Sequence, residues 1–174
     1  MIAPVFVDTN VLLYARDAGE PVKQPLALRW LQQLWQDRSG RTSIQVLSEF
    51  YVNATRKLVP GMPPERAWED VEALLAWSPQ STDGMLLARG REIERRYRLS
   101  WWDSLIVAAA QLQDCALLLT EDLHDGAQYG DVRVRSPFTL SVGESGAQYG
   151  ARHLQARSLH RGRGRPPRLR SQAG

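Results

Sequence analysis

The 174-residue sequence contains a single cysteine, Cys115, so no disulfide can form within the chain. That thiol precedes the apolar run Ala116-Leu117-Leu118-Leu119 and reads as a buried structural cysteine. No apolar stretch reaches 18 residues, which excludes a membrane-spanning helix. The first residues have no basic region followed by an apolar segment, and they enter a strand almost at once, so no secretory leader is expected. With the lone thiol, this points to a reducing cytoplasm. Histidine is equally scarce: His124 stands in a polar turn, and His153 and His160 lie near the C-terminus. A histidine acid–base pair therefore has no candidates.

Acidic residues are missing from one region altogether. Residues 151–174 carry seven arginines and no Asp, Glu or Lys. The overall charge of +3 conceals a division, because residues 1–150 hold 15 basic and 19 acidic residues, a net of −4. The basic isoelectric point of about 9.3 thus belongs to a tail. Its sequence, HRGRGRPPRLRSQAG, has no hydrophobic periodicity, and disorder is expected over 139–174. For the tail a nucleic-acid arm, a contact for an acidic partner and an inert extension all remain open.

What is present is a core. Hydrophobic residues make up 43% of the chain, with six Trp, five Tyr and three Phe, enough for one globular domain. Val5–Val7 reads as a strand, with a short helix after it from Asn10 to Arg16. Pro25 stands in the first turn of a second helix, whose buried stripe is Ala27, Leu28, Leu31, Leu34 and Trp35. A short strand is expected at Arg41–Ile44, followed by a helix from Gln45 to Lys57. Past the break at Pro60–Pro64, a helix buries Ala67, Trp68, Val71, Leu74 and Leu75. Ser78–Ser81 has the composition of a weak strand, and Asp83–Arg98 reads as a helix. Ser100 opens another helix, and Ala116–Thr120 and Val132–Val134 are strands. Alternating strands and helices predict an α/β domain with a largely parallel sheet. The pentapeptide GAQYG occurs at 126–130 and 146–150, but two copies do not make a repeat architecture.

Four acids take on a shared meaning in such a domain. Ligands bind outside the carboxyl ends of parallel strands, and helix starts share that edge. Asp8 follows the first strand directly, and Asp122 follows the strand Ala116–Thr120 by two residues. Glu49 lies in the first turns of the helix after the second strand, and Asp103 in the first turn of the helix opened by Ser100. Each has an ordinary alternative: Asp8 as a helix cap, Ser100 and Asp103 as a capping box, Glu49 as a solvated residue, Asp122 as part of a polar turn. Together they would concentrate negative charge, since two unit charges ~4 Å apart repel by about 4 kcal/mol at an effective dielectric of about 20. Such a cluster either retains protons or binds a multivalent cation. Carboxylate ligation without Cys or His selects Mg²⁺ or Mn²⁺ over Zn²⁺. That ion can activate water for phosphoryl displacement with no nucleophilic side chain.

The segments VFVDTNVLLYA, SIQVLSEFYVNATRK, LSWWDSLIVAAA and LLLTEDLHDG resemble the four acidic motifs of PIN-domain ribonucleases, in order. The similarity is greatest to the VapC-type toxins of bacterial toxin–antitoxin pairs and covers roughly Ile2 to Phe138. It implies a PIN-like three-layer α/β nuclease domain over 1–138, its central and mainly parallel sheet flanked by helices. It implies Asp8, Glu49, Asp103 and Asp122 as catalytic metal-site acids, Asp8 and Asp103 as direct ligands, and Thr9, Asn10 and Thr120 as supporting hydrogen-bonding positions. The cofactor would be Mg²⁺ or Mn²⁺, and the reaction endonucleolytic hydrolysis of RNA leaving 5′-phosphate and 3′-hydroxyl ends. Expected partners are RNA, a cognate antitoxin protein and a second copy in a homodimer, with no membrane.

Two departures stand out. Ser136-Pro137-Phe138 replaces the Asn-Pro-Phe common in related chains, and Glu121 and Asp125 compete with Asp122 as the fourth acid, with the Thr-x-Asp match after the strand favouring Asp122. Other functions weighed are a non-catalytic RNA- or protein-binding module and a small-molecule phosphohydrolase. The latter wants Asp-x-Asp on the first strand, where Asn10 fills the second place. Beside the acids, Trp101 and Trp102 are either base-stacking or core residues. Arg16, Arg56 and Lys57 are either phosphate contacts or solvated charges.

Overall fold

The computed structural model describes residues 2–140 and Val142. The arginine-rich extension and the second GAQYG copy lie outside the described residues. Five strands are described: β1 (Val5–Val7), β2 (Gly40–Arg41), β3 (Leu117–Leu119), β4 (Gln128–Tyr129) and β5 (Val132–Arg135). Six α-helices accompany them, α1 (Thr9–Tyr14), α2 (Lys23–Gln36), α3 (Ile44–Arg56), α4 (Pro64–Leu74), α5 (Gly84–Tyr97) and α6 (Trp101–Leu112), with a 3₁₀ turn at Leu75–Trp77. The sheet runs β2-β1-β3-β5-β4, parallel except for the antiparallel β4–β5 pair. This is the mainly parallel α/β arrangement expected.

Every residue of β1 and β3 is buried, as strands covered by helices on both faces must be. On one side α1, α2, α3 and α4 pack among themselves, while α5 runs along α6, which lies against β3 and β5. Residues 104–110 of α6 are all buried, so this helix is enclosed all round rather than amphipathic. Cys115 is buried too, and burial pushes its thiol far above the ordinary range, as expected of a structural cysteine.

Helix starts follow local chemistry. Ser43 Oγ accepts from Val46 N–H, Asp83 Oδ1 from Leu86 N–H and Ser100 Oγ from Asp103 N–H. The Ser43 cap explains one difference from expectation: the strand stops at Arg41, and α3 begins at Ile44. The Ser78–Ser81 strand reduces to one parallel bridge, Gln80 to Ser43. One strand was not foreseen. The first GAQYG copy forms β4 and its turn, with Gly126 and Gly130 at φ 87° and 62°, where a side chain would be strained. Gly130 N–H donates to Tyr97 Oη, and Gln111 Nε2 donates to Tyr129 O, tying that hairpin to α5 and α6.

Candidate functional site

Parallel pairing brings the ends of β1 and β3 level, with Val7 beside Leu119 and Asp8 N–H bonded to Leu119 O. The next residue of each strand is therefore shared ground. Asp8 is 6% exposed and Thr120 fully buried. The Thr120 hydroxyl donates to Asp8 Oδ2 at 2.7 Å, and accepts from Asn10 Nδ2 at 2.9 Å and from Asp122 N–H at 3.1 Å. One hydrogen and two lone pairs are thereby used completely. Asp8 Oδ1 accepts from Thr9 N–H at 2.7 Å, so this acid is also the cap of α1. Both readings of Asp8, cap and cluster member, describe the same side chain.

Glu49 comes from α3 and faces α1, where Thr9 Oγ1 donates to its Oε2 at 3.0 Å and Gln45 Nε2 to its Oε1 at 3.0 Å. All three supporting residues thus touch the acids or their partners: Thr9 holds Glu49, and Asn10 and Thr120 join Asp8 to the Asp122 backbone. Asn10 Oδ1 is buried and has no hydrogen-bond partner among the described residues.

The electrostatics are one-sided. Burial pushes the Asp8 carboxyl up to about 6, against the pull of the Thr120 and Thr9 hydrogen bonds, and Asp122 and Glu49 push it further up. Among the described residues no basic group offsets that push. Asp8 thus feels the charge of both Glu49 and Asp122. Asp103 is held otherwise: its Oδ2 accepts from Ser100 Oγ at 2.7 Å, the capping reading of this pair, and its charge is felt by Tyr129. No hydrogen bond joins it to the other three acids among the described residues.

The two neighbours that compete with Asp122 as the fourth acid are both engaged elsewhere. Glu121 is paired with Lys23 at 2.9 Å. Asp125 accepts from Arg135 Nε, Ser136 N–H and Thr139 Oγ1. Burial alone would raise its carboxyl, but these donors together hold it below the ordinary value. Of the three, Asp122 alone has no hydrogen bond or ion pair to its carboxylate among the described residues, and its charge pushes the Asp8 carboxyl up. The tryptophans divide similarly: Trp101 is half-buried against the core, whereas Trp102 is 64% exposed. Arg16 is not free for a phosphate, because its Nε and Nη2 both bond the Asp70 carboxylate.

Among the described residues no three Asp, Glu, His or Cys side chains stand close enough to enclose one ion in these orientations. The donor set nevertheless fits a hard cation in kind: carboxylate oxygens only, a buried acid without a compensating base, and the unpartnered Asn10 Oδ1. Among the described residues no helix is long and apolar enough to cross a membrane.

Solved structures that share this fold include FitAcB and VapC20. FitAcB from Neisseria gonorrhoeae matches with a TM-score of 0.55 and 19% identity, over 78% of this chain and 99% of that one. VapC20 of Mycobacterium tuberculosis, described as a sarcin-ricin loop cleaving toxin, matches with a TM-score of 0.51 and 21% identity, over 74% and 98%. At these identities the likeness is one of fold. No curated protein matches the sequence. The PIN domain family matches residues 5–124, a span that takes in both strand ends and all four acids, and the chain belongs to that family.

Proposed function

We propose that this chain is a Mg²⁺- or Mn²⁺-dependent endoribonuclease and the toxin of a toxin–antitoxin pair, with residues 1–138 as the nuclease domain. The observation that carries the reading is Asp8: a buried carboxylate at the end of a parallel strand, pushed toward neutrality by burial and by two further acids, with no base beside it. A divalent cation is the partner that such a group lacks. Asp8, Glu49 and Asp122 would hold it, with Asp103 contributing from the α6 start. Bound there, the ion would supply charge for the phosphodiester and acidity for the attacking water. The chain's own part is orientation. Thr120 and Thr9 hold Asp8 and Glu49 by hydrogen bonds, and the Thr120 hydroxyl also accepts from the Asn10 amide.

A small-molecule phosphohydrolase with an aspartate nucleophile fits less well. Asn10 stands where its second acid belongs, and that amide is engaged by Thr120. A binding module without chemistry has no use for four acids arranged at family-motif positions. RNA as substrate is in keeping with the PIN domain and with VapC20, described as a sarcin-ricin loop cleaving toxin, whereas the antitoxin that covers the site and the homodimer follow from the VapC-type resemblance of the four motifs alone.

The test is direct. The purified chain is incubated with structured RNAs in Mn²⁺ or in EDTA, beside Asp8→Asn. Cleavage that requires metal and disappears in the variant supports the assignment. Binding without cleavage on any RNA moves it to the binding module. In cells, Asp103→Asn should relieve growth arrest on expression, and persistent arrest contradicts its role.

A further inference from the structure

Asp122 occupies the least supported position of the three coupled acids. Its N–H is bound to Thr120, but no hydrogen bond reaches its carboxylate among the described residues. Its direction is consequently set by the backbone on either side. On the far side the anchor is Asp125, bound to Arg135, Ser136 and Thr139. On the near side it is Glu121, and Glu121 is held by Lys23.

Lys23 is no ordinary surface cation. Its Nζ donates to Glu121 Oε2 at 2.9 Å and to Tyr14 Oη at 3.1 Å. It also lies 4.5 Å from the centre of the Tyr14 ring and 5.2 Å from that of Phe138. Those two rings meet edge to face with centroids 5.2 Å apart. Four segments thus converge on one ammonium: the end of α1, the start of α2, the loop after β3 and the turn after β5. An isolated exposed ion pair contributes only ~0–1 kcal/mol, largely because two long side chains must be ordered. Here the lysine is already ordered by two aromatic faces and a phenol, so its hold on Glu121 has direction.

We propose that Lys23 is a positioning residue for the acid cluster: by fixing Glu121 it sets the backbone that carries Asp122 toward Asp8, and it keeps Glu121 itself out of the cluster. The functional half of this inference rests on the metal-site reading above. The positional half does not. Removing the ammonium would release the loop between β3 and Asp125 and free a further negative charge one residue from Asp122. Lys23→Arg keeps the charge and the ring contacts, whereas Lys23→Gln keeps neither.

The experiment has two readouts on the full chain. The first is amide hydrogen exchange in EDTA. In Lys23→Gln, exchange at Asp122 N–H rises about tenfold while β1 and α6 amides keep wild-type protection, as local rather than global opening requires. Glu121→Gln gives the same rise, and Lys23→Arg restores protection. The second readout is Mn²⁺ titration by calorimetry, where Lys23→Gln loses affinity by ~10–100-fold, the range for an outer partner of a metal ligand. Unchanged exchange at Asp122 overturns the proposal, as does unchanged Mn²⁺ affinity in a protein that binds the ion. A loosened Asp122 in a chain whose wild type binds no Mn²⁺ upholds the positioning role and overturns the metal reading instead.

Discussion

The Thr120 hydroxyl donates to Asp8 Oδ2 across 112 positions of sequence, and it accepts at the same time from Asn10 and from the Asp122 backbone. Replacing it with an isosteric methyl leaves buried polar atoms without partners. Thr120→Val should destabilise the domain by roughly 1–3 kcal/mol, the range for an unsatisfied buried group. It should also raise the Asp8 carboxyl beyond about 6, since the Thr120 hydrogen bond is the strongest influence lowering it. Urea denaturation and a carboxyl-carbon NMR titration measure the two effects, and Thr120→Ser should restore both. Wild-type values in Thr120→Val contradict the bonding described.

Asp8 should make the metal-free protein less stable as pH rises. Its folded carboxyl lies at about 6 against 3.8 for the ordinary group, so the folded state binds more protons between those values. The stabilising contribution is complete below about 3.8 and is lost as pH rises through about 6. The full swing is on the order of 3 kcal/mol. In EDTA, Asp8→Asn should therefore be more stable than wild type at pH 7.5, with the difference closing near pH 4. Added Mn²⁺ should raise the wild-type unfolding midpoint and leave that of Asp8→Asn in place. A wild type less stable than the variant at low pH reverses the sign and removes the argument.

The identity of the fourth acid is open to a paired comparison. Asp122→Asn should reduce RNA cleavage by more than the ~10–100-fold typical of an outer partner. Asp125→Asn removes a group already committed to Arg135, Ser136 and Thr139, and should change cleavage only severalfold. Its cost should appear in stability, most of all above the ordinary carboxylate range. Equal loss in the two variants contradicts the distinction.

Gly40 in β2 offers a test of packing away from the acids. A Cβ there would stand 2.5 Å from Cζ2 of the buried Trp77 indole, well inside contact distance. Gly40→Ala should destabilise by about 1–3 kcal/mol, as overpacking does, because an indole wedged beside Trp35 cannot retreat like a flexible chain. Chemical denaturation followed by tryptophan fluorescence reads both the cost and the moved ring. A neutral substitution means that the close approach is not rigid.

Helix starts at Ser100 and Asp83 were legible because caps are local chemistry, and β1 and β3 because a fully buried strand is a short apolar run. The strand β4 was not, since Gln128 and Tyr129 alone have no periodicity; only pairing with β5 and the positive φ values of Gly126 and Gly130 make it one. The same limit applied to Ser78–Ser81, where composition favoured a strand but only Gln80 found a partner. In the site, the four acids stood out by their places after strands and at helix starts. Asp122 was favoured over Glu121 and Asp125 by the Thr-x-Asp spacing after the strand, but that Lys23 and Arg135 engage those two neighbours was not legible, because it depends on which segments meet.

The sequence by itself determined that this is an α/β chain of the PIN family with acids after strands and at helix starts in four separated segments, since strand ends and helix starts are set by short-range pattern. Only the tertiary structure decided that Asp8, Glu49 and Asp122 share a field while Asp103 turns to Ser100, and that Lys23 claims Glu121. Those outcomes depend on distances between segments more than a hundred residues apart, and on which donor reaches a carboxylate first. Local propensity carries no information about either.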